Sequence, residues 1–244
     1  MVISVGCDIA DGDFKLYNSL TNKRRSFELK PIDQDNVNFI EEFFNEIKIK
    51  TDEIIDCFCV FMDETCKNKF RQKFIEYAKI QSNIKNVQIV SIEVLDLCSA
   101  IKNLSFSPEI GNLIWIFDCR EEKICCDIWM FSKGNYWKLE TRCEVEKTFK
   151  DIKRSPTIED LQIVKSKLEQ FFTNPYIFVL SDCAVNKDFF KAVFSKYKRM
   201  MFSDDYEYDE SALNLARSIL NENGYLKFKS EMNLGRILQI KIRD

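Results

Sequence analysis

The sequence predicts an α/β protein built from two duplicated lobes, each running β-β-β-α-β-α-β-α. Three observations carry that prediction. Asn112 to Phe131 reads as a buried hairpin: an apolar run into Asp118, a charged tip over Arg120 to Lys123, and a second apolar run from Ile124 to Phe131, rich in aromatic and β-branched residues. The chain opens the same way, with Val2 to Asp8, a turn over Ile9 to Asp13, then Phe14 to Tyr17. After each hairpin, apolar runs of strand length alternate with stretches of helical period. That alternation implies mostly parallel pairing, with helices crossing right-handed over the faces of a sheet.

The elements follow in order. Val2–Asp8, Phe14–Ser19 and Arg24–Lys30 predict three strands joined by short turns, stopped by Pro31 and Asp33. Over Asn36–Ile49 the apolar residues Val37, Ile40, Phe43, Phe44 and Ile47 fall at helical spacing. Glu53–Phe61 is a nearly continuous apolar run, the signature of a buried strand. Asp63 to Gln81 predicts a second helix, N-capped by Asp63, with Phe70, Phe74, Tyr77, Ala78 and Ile80 as its apolar face. A short strand, Val87–Ile92, and a third helix, Val94–Leu104, close the first half.

The second half repeats the order. Leu113–Asp118, Ile124–Phe131 and Tyr136–Cys143 are strands; Ile158–Phe172 is a helix entered through Ser155-Pro156-Thr157. Strand Pro175–Leu180, helix Asn186–Tyr197, strand Arg199–Phe202 and helix Tyr208–Leu220 follow, the last ended near Asn223-Gly224. The tail alternates in two pieces, Tyr225–Lys229 and Arg236–Arg243, and Leu238, Ile240 and Ile242 alternating with Gln239, Lys241 and Arg243 predict one half-buried strand at an edge. The division expected is 1–104 for lobe I, 105–207 for lobe II, 208–224 for a closing helix and 225–244 for a strand extension. The hinge falls near Asn103–Gly111, with one five-stranded sheet per lobe. A cleft at the carboxyl ends of the strands is the natural ligand site of such an arrangement.

Composition narrows the chemistry. The 244 residues are 45% hydrophobic and 31% charged, as in soluble globular proteins. A net charge of −3 argues against a nucleic-acid surface, leaving open local patches at Lys23-Arg24-Arg25 and along the helix Cys66–Lys79. The chain has 10 Cys and no His. Without His there is no Ser-His or Cys-His hydrolase. The cysteines, among them Cys7, Cys57, Cys59, Cys98, Cys119, Cys125 and Cys126, lie inside strands and helices and read as reduced, buried apolar residues. No Cys-x-x-Cys pair supports a zinc site. No apolar run is long enough to span a bilayer and no signal peptide opens the chain, so a cytoplasmic or nuclear location is expected. Trp115 and Trp129 read as core, and Trp137, beside Asn135-Tyr136, as a surface candidate.

The layout resembles the actin-like ATPase (ribonuclease H-like) superfamily, and within it the nucleotide-binding domain of the 70-kDa heat-shock chaperones. Val5-Gly6-Cys7-Asp8-Ile9 stands where that family has its first phosphate loop, and Phe117-Asp118 where the second begins. Phe61 to Lys79, with Asp63 and Arg71-Gln72, looks like the strand-to-helix passage before the hinge. Ile89–Ala100, with Glu93, looks like the segment bearing Asn-Glu-Pro. Val179-Leu180-Ser181 stands at the adenosine-contacting Gly-Gly-Ser, and Asp209-Glu210-Ser211-Ala212 opens a helix like the family's closing one. The likeness spans most of residues 1–224, and the order of the motifs carries it more than any one of them. It implies that the outer subdomains are reduced or absent: only Pro31 to Asp52 and Glu144 to Ser155 stand in their places. In the family those pieces supply the catalytic Lys and much of the adenine clamp.

The loops depart from a phosphate cradle, which needs successive backbone N–H groups at close range. Here they read Ala10-Asp11-Gly12-Asp13 and Cys119-Arg120-Glu121-Glu122. The resemblance places Asp8, Glu93 and Asp118 where the family uses acids around its metal and attacking water. Carboxylates at strand ends in a highly charged chain also have a plain structural account. The same holds for Cys7, Cys119 and Cys183, where buried thiols are favoured over a metal site. The expected function is therefore a chaperone-ATPase-like domain that has lost ATP binding. It would have no catalytic residues, no cofactor and no metal, and it would serve as a scaffold for a protein partner or a homo-oligomer, with nucleic acid and membrane disfavoured. The alternative is a minimal Mg-dependent nucleotide-binding protein with weak ATPase activity, using Asp8, Glu93 and Asp118.

Overall fold

A computed structural model describes residues 2–34, 36–62, 65–102, 108–118, 124–133, 136–147, 157–170, 172–180, 187–197, 200–203, 207–220, 227–228 and 237–242. The chain divides into two compact units. Unit 1 is Met1–Ser99 with Glu207–Tyr225, and unit 2 is Ala100–Tyr206 with Leu226–Asp244.

Unit 1 holds strands β1 (Ile3–Asp8), β2 (Asp13–Asn18), β3 (Lys23–Glu28), β4 (Cys57–Phe61) and β5 (Asn86–Val90) in the order β3-β2-β1-β4-β5. The first three pair antiparallel, and β4 and β5 add parallel to β1. β1 and β4 are buried at every position, as central strands covered on both faces must be. β3 is exposed along nearly its whole length and carries Lys23, Arg24 and Arg25, charges that blunt a sheet edge. Helices α1 (Phe39–Lys50) and α2 (Asn68–Ile80) cover one face. Phe43, Phe44, Phe70 and Phe74 from these helices pack with Ile3, Val5, Phe14, Leu16 and Phe58 of the sheet. α2 begins after Lys67, so the capping role expected of Asp63 lies outside the described residues. Ile80, assigned by sequence to the apolar face, is instead 69% exposed. Helix α3 (Ile92–Lys102) follows β5.

The other face of β1 is taken by α6 (Tyr208–Ile219), set apart in the sequence as a closing helix. Contact is backbone to backbone at Gly6, where an added Cβ would stand 2.1 Å from the Leu213 nitrogen and 2.2 Å from the Asp209 carbonyl oxygen. Arg217 lies 4.0 Å over the Tyr17 ring, and Tyr208 stacks on Phe61 at 4.7 Å.

Unit 2 repeats the plan. β6 (Leu113–Asp118), β7 (Ile124–Ser132), β8 (Tyr136–Lys147), β9 (Tyr176–Leu180) and β10 (Met200–Ser203) lie in the order β8-β7-β6-β9-β10, with the same antiparallel and parallel senses. Helices α4 (Ile158–Glu169) and α5 (Lys187–Val193) pack on it through Leu161, Val164, Leu168 and Phe190. α4 starts on a capping box: the Thr157 hydroxyl accepts from the Asp160 N–H, and the Asp160 carboxylate accepts from the Thr157 N–H. Asp127, buried on β7, is held by a two-pronged pair with Arg142 opposite, at 2.7 and 3.0 Å.

The tail adds β11 (Lys227–Phe228) and β12 (Ile237–Ile242), both parallel to β8. The five-stranded sheet expected for this half is thus extended to seven. This corrects the reading of Trp137. Its register partner is Phe228 of β11, and its side chain is fully buried, 5.2 Å from the Phe131 ring. Trp115 and Trp129 are core, as their strand positions predicted.

In both units a strand order of 3-2-1-4-5 with the same mixed senses defines the actin-like ATPase, ribonuclease H-like fold. Only residues 29–38 connect β3 to α1, so no outer subdomain is inserted there. No helix among the described residues is long and apolar enough to cross a membrane.

Candidate functional site

The sequence pointed to Asp8, Glu93 and Asp118. Asp8 and Asp118 occupy matching places. Asp8 ends β1 opposite Asp13 of β2 and Phe61 of β4, and Asp118 ends β6 opposite Cys125 of β7 and Leu180 of β9. Asp118 is half-buried in unit 2. Glu93 is buried in the first turn of α3, in unit 1. Cys119, Arg120, Glu121, Glu122, Ser181 and Cys183 lie outside the described residues.

Around Asp8 the geometry is specific. Its Oδ1 accepts from the Ala10 N–H at 2.9 Å and the Asp11 N–H at 3.4 Å, and its carbonyl accepts from the Gly12 N–H at 3.0 Å. Three successive N–H groups of the loop thus close back on one residue. The segment after β3 then seals the turn: Leu29 N–H donates to the Gly12 carbonyl at 2.7 Å and Ile32 N–H to the Ile9 carbonyl at 3.3 Å. Gly12 has φ +82°, and a Cβ there would meet the Leu29 oxygen at 2.1 Å, so only glycine fits.

Asp8 is 3% exposed. Burial raises its pKa to about 6, against the hydrogen bonds from Ala10 and Asp11, with the charges of Asp11 and Asp13 adding to the rise. On the same face, α6 brings Asp209 near Asp13, and burial raises the Asp209 pKa too, against the pull of Lys15. Lys15 bonds Glu207 and sits 3.4 Å from Asp209 and 3.8 Å from Glu210, while Arg24 pairs with Glu210 at 2.8 Å. Lys15 was missed as a site residue because its partners lie at and just before the start of α6, far along the chain. Only the Asp209-Glu210 pair left a sequence signal.

Cys7 is fully buried, and burial, then Asp8, pushes its thiol well above the usual value, so it is an inert packing residue rather than a thiolate. Cys57, Cys59, Cys98 and Cys126 are likewise buried and form no disulfide, whereas Cys125 is half-buried. Among the described residues no group of three or more His, Cys, Asp or Glu is placed to hold a metal ion.

The Asp8 titration makes a pH prediction. The folded carboxyl takes its proton near pH 6, against 3.8 for an ordinary aspartate. Between those values Asp8 binds more proton in the folded state than in the unfolded chain, so its contribution to stability falls as pH rises through that window. Asp8→Asn keeps an acceptor for Ala10 and Asp11 but removes the titration. Its stability should fall less, or rise more, between about pH 4 and 6 than that of the wild type, by urea denaturation across that range. An unchanged slope would place the loss of stability elsewhere.

No family model matches the chain, and no curated protein matches it. Solved structures are similar in fold. An uncharacterized protein from Pseudomonas aeruginosa with similarity to peptidase YeaZ is 8% identical, with 91% of this chain and 94% of that one covered and a TM-score of 0.46. A Bacteroides thetaiotaomicron protein with actin-like ATPase fold and unknown function is 11% identical, covering 88% and 95%, with a TM-score of 0.44. The ethanolamine utilization protein EutJ from Carboxydothermus hydrogenoformans is 12% identical, covering 88% and 90%, with a TM-score of 0.46.

Proposed function

We propose that this chain is a non-catalytic domain of the actin-like ATPase fold, akin to the nucleotide-binding domain of the 70-kDa heat-shock chaperones, that has lost ATP binding and works as a protein-interaction scaffold. The observation that carries the reading is the Asp8 loop. A phosphate is held by N–H groups aimed at it. The N–H groups of Ala10, Asp11 and Gly12 are all spent on Asp8, and Asp11 and Asp13 add negative charge where a triphosphate would lie. Opening the loop would break three hydrogen bonds before any phosphate contact formed. The likeness to the chaperone family rests on the order of its motifs.

The scaffold half is supported by large aliphatic side chains left exposed in unit 1, at Leu20, Ile49, Ile54 and Ile80. Thermal melting tests the first half. ATP or ADP, with or without Mg²⁺, at millimolar concentration is expected to leave the Tm unchanged to within about 1 °C, where a ligand at a hundred times its Kd would raise it by several degrees. Stabilisation by Mg-ATP that Asp8→Ala abolishes would overturn the proposal in favour of a minimal nucleotide-binding protein.

A further inference from the structure

Lys23-Arg24-Arg25-Ser26-Phe27 sets three successive bases directly before a serine and an aromatic ring directly after it. The run lies in β3, the edge of the unit-1 sheet. An edge strand offers one side of its backbone in the extended form that a groove-bound peptide adopts. Ser26 is exposed, and so are Lys23, Arg24 and Arg25. Arg24 pairs with Glu210 and Arg25 with Glu53, yet the two side chains stay 49% and 40% exposed. Ion pairs as exposed as these are weak and exchange for another carboxylate at little cost. An enzyme cleft lined by acids would find the bases it reads and the hydroxyl it acts on along one accessible strand.

The place of Ser26 in the sheet gives its modification a consequence. Side chains alternate across a strand, so Ser26 shares a face with Arg24 and Glu28. Across the β2–β3 pair Ser26 stands opposite Lys15, Arg24 opposite Tyr17 and Glu28 opposite Asp13. This is the face that meets the start of α6. Lys15 bonds Glu207 and sits 3.4 Å from Asp209 and 3.8 Å from Glu210, and Arg24 holds Glu210 at 2.8 Å. Two cations thus serve three carboxylates. Opposed residues of such a pair have Cβ atoms about 5 Å apart. A phosphate on Ser26 would bring a charge of about −1.5 to −2, and three acceptor oxygens, within reach of both cations. The carboxylates at the start of α6 would lose their counter-ions and face added negative charge, alongside Glu28 and Asp13.

We propose that Ser26 is a phosphorylation site for an Arg-directed protein kinase, and that its phosphate draws Lys15 and Arg24 off Glu207, Asp209 and Glu210 and so loosens α6. The Ser26 Oγ attacks the γ-phosphorus of the ATP that the kinase binds. A new O–P bond replaces the bond to ADP, ADP leaves, and the hydroxyl proton passes to the kinase's catalytic aspartate. No nucleotide bound by this chain takes part.

The full chain, incubated with Mg-ATP and the catalytic subunit of the cyclic-AMP-dependent protein kinase, provides the test. Intact mass and peptide mapping should show one phosphoryl group on Ser26. Ser26→Ala, melting as the wild type does, should lose it, and Ser26→Thr should keep it. Hydrogen exchange over α6 should be about tenfold faster in the phosphorylated protein, as the loss of several exposed ion pairs implies, with α1 and α2 unchanged. Ser26→Asp should act in the same direction by a smaller factor. An unlabelled folded chain, or labelling undiminished in Ser26→Ala, would overturn the site. Labelled Ser26 with unchanged exchange over α6 would overturn its coupling to the helix, and the proposal with it.

Discussion

Gly6→Ala is expected to destabilise unit 1 by about 3 kcal/mol or more, beyond the usual cost of one added methyl group in a core. The new Cβ would stand 2.1 Å from the Leu213 nitrogen, 2.2 Å from the Asp209 carbonyl oxygen and 2.6 Å from the Leu213 Cα. These are main-chain atoms of a regular helix, so no rotamer change relieves the clash. Either β1, a strand buried at every position, bends, or α6 lifts by more than an ångström. Lifting α6 would draw Glu207, Asp209 and Glu210 away from Lys15, and Arg217 away from the Tyr17 ring. Hydrogen exchange should then show α6 losing protection before α1 and α2. Wild-type stability in urea, to within about 0.5 kcal/mol, would mean that α6 does not meet β1 backbone to backbone.

Phe74→Ala should cost about 3–5 kcal/mol, the range for emptying a buried aromatic site. Phe74 is fully buried on α2, its ring centroid 5.0 Å from Phe44, 5.7 Å from Phe43, 6.0 Å from Phe58 and 6.3 Å from Phe70. The ring joins both covering helices to the central strand β4, so the hole has walls on every side and little freedom to collapse. Phe74→Leu, which refills most of the volume, should cost about 1–2 kcal/mol. The chain supplies its own control: all three tryptophans, Trp115, Trp129 and Trp137, lie in unit 2. Indole fluorescence reports that unit alone, while far-UV dichroism, which sums the helices of both units, registers any loss in unit 1 that fluorescence does not follow. Equal losses for Ala and Leu would show that shape rather than volume governs the site.

Much of the architecture was legible because it is local. Two hairpins each ending a strand in Asp, and apolar runs of alternating period, fixed the order of elements and their approximate limits from Ile3 to Ile219. What escaped depends on partners distant in the chain. Trp137 sits beside polar neighbours, and only β11, brought back from the tail, makes its strand interior. Lys15 looks like any solvated lysine on an alternating strand until α6 is laid across it. Ile80 was misplaced for a different reason. On a helix whose buried stripe runs Phe70, Phe74, Ala78, it lies well round from that stripe, and hydrophobicity was counted ahead of angle. At the candidate site the acids were visible, but the destination of the loop's N–H groups was not, because nothing in Ala10-Asp11-Gly12 says that Asp8 will take them all.

The path of the chain has a consequence for its synthesis. Unit 1 is completed by Glu207–Tyr225, after the whole of Ala100–Tyr206 has been made. At about 5–20 residues per second, the α6 face of β1 stays uncovered on the ribosome for roughly 5–20 seconds. During that interval a nascent polypeptide presents an unroofed central strand, a surface that holdase chaperones recognise and that invites clumping between neighbouring ribosomes on one message. Premature termination anywhere before Glu207 should therefore yield a fragment that is sticky and rapidly degraded, even though every strand of the unit-1 sheet has already been translated by Val90.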